Sequence, residues 1–278
     1  MSIKRSNILP VSFIFIALTI SSCGGATEEI EPTATSISTL AEDGSDSADP
    51  ASDEAAADIV MVTGECANPY FPVVLDANWT YAASGSELEP YSFTSTVSEV
   101  FPDRFTLTHH FDDLTLTQQW ECKPEGLAAL ELGGGAAASL VTGDVDLKLE
   151  TSNINGVTFP SAVSVGDVWT HSMDASGEIE LGEGMFGTME GQATTNFQAV
   201  GMESVEVPAG SFEALRVATE FILDMTVTVD GASIPVVFTS TGSSWHVPNT
   251  GWVKQTSETT VFDVPTTDTI ELEAYSIP

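Results

Sequence analysis

Arg104-Phe105-Thr106-Leu107-Thr108-His109-His110-Phe111-Asp112-Asp113-Leu114-Thr115-Leu116-Thr117-Gln118-Gln119-Trp120 is the stretch that decides the fold class. Apolar and polar residues alternate on both sides of the Asp112-Asp113 pair. A period of two places alternate side chains on opposite faces of an extended chain, so each arm reads as a half-buried antiparallel strand and the acidic pair as the turn.

The same reading extends in both directions. Ser92 to Val100 is rich in β-branched residues, and Val145 to Glu150 alternates. Later strands are predicted over Leu215 to Val229, Ile234 to Trp245, Trp252 to Phe262 and Thr269 to Tyr275. Phe101-Pro102-Asp103, Asp230-Gly231 and Pro248-Asn249-Thr250-Gly251 punctuate them, and Asp-Gly between Val229 and Ala232 predicts a two-residue hairpin. No window shows a 3.6-residue period. Ala136 to Val141 is a candidate short helix, Gly182 to Gly191 a candidate mobile stretch, and Gly133-Gly134-Gly135 a loop without the GK[ST] of a phosphate cradle. The expected fold is all-β: one or two curved antiparallel sheets, half-barrel-like, after a disordered N-terminal tether.

A weak internal repeat supports two pseudo-repeated units, 62–155 and 156–278, within a β-sheet domain over 62–278. Phe71-Pro72 leads to Asn78-Trp79-Thr80, and Phe159-Pro160 leads to Val168-Trp169-Thr170, each before a long strand.

The N-terminus carries an address. Lys4 and Arg5 precede an apolar run from Ile8 to Ile20, too short to span a bilayer but suited to a secretory signal. Ile20-Ser21-Ser22-Cys23 then reads as a bacterial lipobox: small residues before a thiol that accepts a diacylglyceryl group. Residues 1–22 are therefore expected to be a signal peptide and Cys23 a lipidated (palmitate-type) terminus, tethering the chain to the cell membrane or outer membrane. Each buried CH2 of such an anchor is worth roughly 0.8 kcal/mol. Residues 23–61 follow as an acidic, disordered linker. Between 24 and 60 lie ten acids and no base among Ala, Ser, Thr, Gly and Pro, a composition that cannot offset the entropy of ordering.

Charge excludes one class of partner. Seven Lys and Arg face 41 Asp and Glu, net −34. Removal of residues 1–22 takes Lys4 and Arg5 and no acid, leaving five bases and net −36. Such a field repels nucleic acid. Acids spread along the whole chain fit a hydrated surface for a salty or acidic medium. Loading with divalent cations is the alternative, and it would need acids to converge.

Three cysteines are present. With Cys23 spent on lipid, Cys66 and Cys122 form an even pair in an oxidising compartment and are expected to be disulfide-bonded, two buried thiols being the alternative.

The segments Phe71-Pro72-Val73-Val74-Leu75-Asp76-Ala77-Asn78-Trp79-Thr80-Tyr81, Gly166-Asp167-Val168-Trp169-Thr170, Val205 to Val217 with its Val-Pro-Ala-Gly-Ser-Phe core, and Trp245-His246-Val247-Pro248-Asn249-Thr250-Gly251-Trp252-Val253-Lys254 together resemble a group of bacterial lipoproteins and secreted β-sheet proteins of unknown function. The resemblance spans most of 66–263. It implies a curved antiparallel sheet, akin to half-barrels that carry lipid or lipoprotein cargo, with hairpins at Pro208-Ala209-Gly210 and at Pro248 to Gly251. It implies no catalytic residue.

The residues themselves offer little chemistry. His109, His110, Asp112 and Asp113 are the best metal candidates, but alternation splits them between two faces, and zinc needs three or four convergent ligands. No G-x-S-x-G elbow occurs. No catalytic residue, metal site or cofactor is assigned. The remaining lead is aromatic: Trp79, Trp169, Trp245 and Trp252 either belong to the core, as Trp120 would, or line a concave face that holds a ligand. The expected function is a non-catalytic binding module for an apolar or amphiphilic ligand, lipid or glycan. The alternatives are a structural or interaction protein with an envelope-protein partner, and an enzyme whose site the sequence does not reveal.

Overall fold

Residues 64–85, 90–112, 114–132, 146–180, 186–261 and 264–278 are described in the computed structural model. The lipobox, the acidic linker, Ile59 to Val62, Asp113, the Gly133-Gly134-Gly135 loop and the Ala136–Val141 helix candidate lie outside them. The described chain contains no helix. It forms thirteen strands: β1 (Asn78–Gly85), β2 (Tyr91–Val100), β3 (Arg104–His110), β4 (Thr115–Lys123), β5 (Gly126–Ala129), β6 (Asp146–Gly156), β7 (Phe159–Pro160), β8 (Val168–Glu180), β9 (Phe186–Val207), β10 (Gly210–Val229), β11 (Ala232–Val247), β12 (Gly251–Val261) and β13 (Val264–Ser276).

All thirteen belong to one antiparallel sheet of order β6-β8-β9-β10-β11-β12-β13-β1-β2-β3-β4-β5-β7. The first and last described strands, β1 and β13, pair in mid-sheet from Asn78↔Ser276 to Gly85↔Asp268. The two ends of the order, β6 and β7, are separated in the chain only by Val157 and Thr158. The sheet therefore has to curl until its ends meet, although among the described residues no ladder joins them and it stays open. Thr158 makes the seam: its N–H donates to Leu127 O, its Oγ1 accepts from Ala129 N–H, and its carbonyl accepts from Trp169 Nε1.

Bulges supply curvature, because an extra residue on one strand bends it and increases its twist. Val200 is extra on β9, Val253 on β12, Ser98 on β2 and Glu273 on β13.

Alternation in 104–123 is realised as expected. Phe105, Leu107 and His109 of β3 are buried, as are Gln118, Trp120 and Cys122 of β4. Phe105, Leu107, Trp120 and Cys122 join Trp79, Tyr81, Phe93 and Val97 in the main core, which the non-strand segment Cys66 to Ala77 covers with Phe71 and Val73. Cys66 is disulfide-bonded to Cys122 and pins that cover to β4.

The predicted turns are present. Val207 pairs with Gly210 across Pro208-Ala209, and Val247 with Gly251 across Pro248-Asn249-Thr250. Val229 pairs with Ala232 across Asp230-Gly231, whose φ values of 51° and 80° are the two left-handed residues of a type I′ hairpin.

Other expectations needed revision. From Phe186 onward the glycine-rich stretch is not a mobile loop but the start of β9, paired on both sides. Gly191 permits this because a Cβ there would sit 2.1 Å from Asp224 O on β10. Leu114 lies before β4 rather than in it, and β10 begins five residues ahead of Leu215.

The two Trp-Thr segments occupy matching settings. Asp76 N–H donates to Val97 O and Ala77 O accepts from Val97 N–H. Likewise Gly166 N–H donates to Ala199 O and Asp167 O accepts from Ala199 N–H. Each Trp then enters its strand two residues later.

Candidate functional site

Trp79 and Trp252 come together. The Trp79 indole is 4% exposed and donates to Thr250 O at 2.6 Å. The Trp252 ring stacks on Tyr81 at 3.8 Å with 5° between planes, and Tyr81 Oη donates to Trp252 O. The β12 bulge at Val253 permits this, since half-buried Trp252 turns toward Tyr81 while the adjacent Val253 is fully buried.

These rings, with Phe71, Pro72, Ser95, Leu107, His109 and Gly251, line a cavity of about 30 Å³. That volume admits a water molecule or two and no acyl chain.

Trp169 lies elsewhere, stacked on Phe197 at 5.2 Å beside Phe159 in a second cluster with Leu215 and Val217. Trp245 is half-buried, and its Nε1 donates to Glu203 Oε2 while Arg216 bonds Glu203 Oε1. The four tryptophans thus do not line one common face.

Three histidines are buried, and none is an obvious ligand. His109 Nδ1 bonds Ser95 Oγ at 2.8 Å, whereas its neighbour His110 is exposed and bonds Thr115. Burial lowers the His109 pKa to about 4. His171 is lowered to about 4, chiefly by burial and then by the positive charge of Lys123. His246 packs its ring 4.6 Å from Phe159, bonds Ser244 through Nε2, and is lowered to about 3 by burial. All three rings are neutral at pH 7. Among the described residues no three His, Cys, Asp or Glu side chains converge as metal ligands.

The feature with most open chemistry lies far from the tryptophans. β12 pairs with β11 only from Ser240 to Val247, so Ala232 to Val237 overhang it. All six are exposed, with Ile234 at 55% and Val237 at 63%, and none is charged. Alternation alone could not single out this run, because Ile234 to Phe238 reads as an ordinary strand. Only the unequal lengths of β11 and β12 expose it. On the outer face nearby, Asp174, Glu190, Gln192 and Asp224 line a shallow polar depression.

No family model matches the sequence, and no curated protein matches it. Among solved structures, several are similar to this chain at low sequence identity. A candidate exported protein with a YmcC-like fold from Bacteroides fragilis NCTC 9343 is 15% identical, with TM-score 0.45, covering 76% of this chain and 100% of that one. A candidate lipoprotein from Parabacteroides distasonis ATCC 8503 is 14% identical, with TM-score 0.42, covering 76% and 99%. The hypothetical lipoprotein YmcC from Escherichia coli (K12) is 11% identical, with TM-score 0.32, covering 73% and 86%.

Proposed function

We propose that this chain is a lipid-anchored, extracytoplasmic lipoprotein whose β-sheet domain acts without catalysis, by binding another polypeptide of the cell envelope. Cys23 carries the anchor, and residues 23–61 hold the domain away from the bilayer. The cleaved signal and an oxidising compartment fit the Cys66–Cys122 disulfide.

The observation that carries the binding mode is the contrast between a small cavity at the clustered aromatic rings and an exposed apolar strand edge. The cavity beside Trp79, Tyr81 and Trp252, about 30 Å³, has no space for a lipid tail, while uncharged apolar side chains stand exposed on β11. The reading of Trp79, Trp169, Trp245 and Trp252 as a ligand-binding face finds no support in their positions.

The test uses native membranes. Intact-mass analysis is expected to find a chain beginning at acylated Cys23, and Cys23→Ala to release it from the membrane. In-cell cross-linking of the anchored protein is expected to capture one discrete polypeptide. A chain still starting at Met1, or a stoichiometric second lipid with no polypeptide partner, would overturn the reading.

A further inference from the structure

The geometry points to Ala232–Val237 of β11 as a strand-addition site for an extended partner segment, apolar at alternate positions and basic at its flanks. This deepens the envelope-interaction reading and rests on it. Counting outward from the two-residue turn, Val229↔Ala232 is a hydrogen-bonded pair, so Val227↔Ile234 and Met225↔Val236 are as well. The intervening residues Ser233, Pro235 and Val237 turn their backbone groups away from β10, toward the edge that no described strand covers. Pro235 sits where its missing N–H costs the β10 ladder nothing. The edge therefore presents N–H groups at 233 and 237 and carbonyls at 233, 235 and 237.

Side chains flank that edge on both faces. Ile234 and Val236 continue the apolar face that Leu223, Met225 and Phe238 share with Met173, and Val237 stands on the other. An added strand would place alternate side chains against each.

Two observations favour a different polypeptide over a second copy. Self-pairing brings two Pro235 residues to the interface and forfeits at least two ladder hydrogen bonds, whereas a partner without proline forfeits one. Charge acts the same way. Asp224, paired with Val237, and Asp230 at the turn border the neutral run, and the whole chain is net −34. Copies repel, while a partner with Lys or Arg beside its apolar core is attracted.

The test uses the full mature lipoprotein in detergent and a labelled peptide, Lys-Lys-Val-Thr-Val-Thr-Val-Lys-Lys. The peptide is expected to bind and to slow hydrogen exchange within 230–240. Val237→Pro removes an edge donor without touching the β10 ladder and should weaken binding about fivefold or more, while Pro235→Ala restores a donor and should tighten it by a similar factor. Pro235→Ala keeps the test decisive if Val237→Pro misfolds. Protection elsewhere on the chain, affinity unmoved by either substitution, or protection of 230–240 by self-association without peptide would each overturn the assignment. If Val237→Pro left the in-cell cross-linked partner in place, the edge would be excluded while the envelope-interaction reading stood.

Discussion

His246 shows how much a single buried ring can control. Its ring lies against Phe159, and its pKa of about 3 is far below the ordinary 6.5 because burial disfavours the cation. His109 and His171, near 4, share that cause. A folded pKa below the unfolded one means that the unfolded chain binds the proton first. Stability is therefore complete above pH 6.5 and falls as pH drops toward 4, and toward 3 for His246. Between pH 6.5 and 5 most carboxylates remain ionised, so loss in that window belongs to histidine. Replacing His246 with Phe keeps a ring against Phe159 and removes the titration. Urea melts at pH 7 and pH 5 are expected to show the variant losing about 2 kcal/mol less than the wild type over that interval. Parallel losses in the two proteins would show that His246 is not buried as described.

At the scale of the element, the least regular part of the domain is the most dependent on a covalent link. Residues 64–77 form no strand, yet Phe71, Val73 and Ala77 cover the aromatic core, and Cys66–Cys122 holds them there across a sequence separation of 56. In the chain-entropy view a loop of that length stabilises by about 4 kcal/mol. Cys66→Ala with Cys122→Ala should lower unfolding free energy by up to that amount and should speed exchange first in 64–77. A double variant as stable as the wild type would mean that packing alone holds the cover. Local pattern made β2, β3, β4 and the hairpins at Asp230-Gly231 and Pro248 to Gly251 legible, because alternation and turn residues are encoded within a few positions, whereas the hairpin at Pro208-Ala209 came only from the resemblance. β5 was not legible: Gly126-Leu127-Ala128-Ala129 is buried on both faces and has no alternation to read. β7 is two residues long, and the pairing of β1 with β13 joins positions almost 200 apart, which no local period can announce. For the site, composition offered Trp79, Trp169, Trp245 and Trp252, yet whether a tryptophan is core or ligand face depends on its neighbours across the sheet. The overhang of β11 depends on where a different strand stops.

Charge governs the molecule as a whole. Four of the five basic residues left after signal removal are each committed to one acid: Arg104 to Asp103, Lys123 to Glu121, Arg216 to Glu203 and Lys254 to Glu271. Partly exposed pairs of this kind are worth at most about 1 kcal/mol each, and they leave most of the 41 acids unopposed. Folding crowds those charges, so repulsion destabilises the compact state, and salt relieves it by shortening the screening length from about 30 Å at 0.01 M to about 3 Å at 1 M. The melting temperature should therefore rise by several degrees, on the order of 3–6 °C, between 0.01 M and 1 M NaCl. Calcium separates the two explanations for the acid excess. A hydrated acidic surface responds only to ionic strength, so CaCl2 and NaCl matched in ionic strength should give similar shifts. Selective stabilisation at micromolar calcium would instead require a convergent carboxylate site, and Asp174, Glu190 and Asp224 around the polar depression would be the first place to look for it.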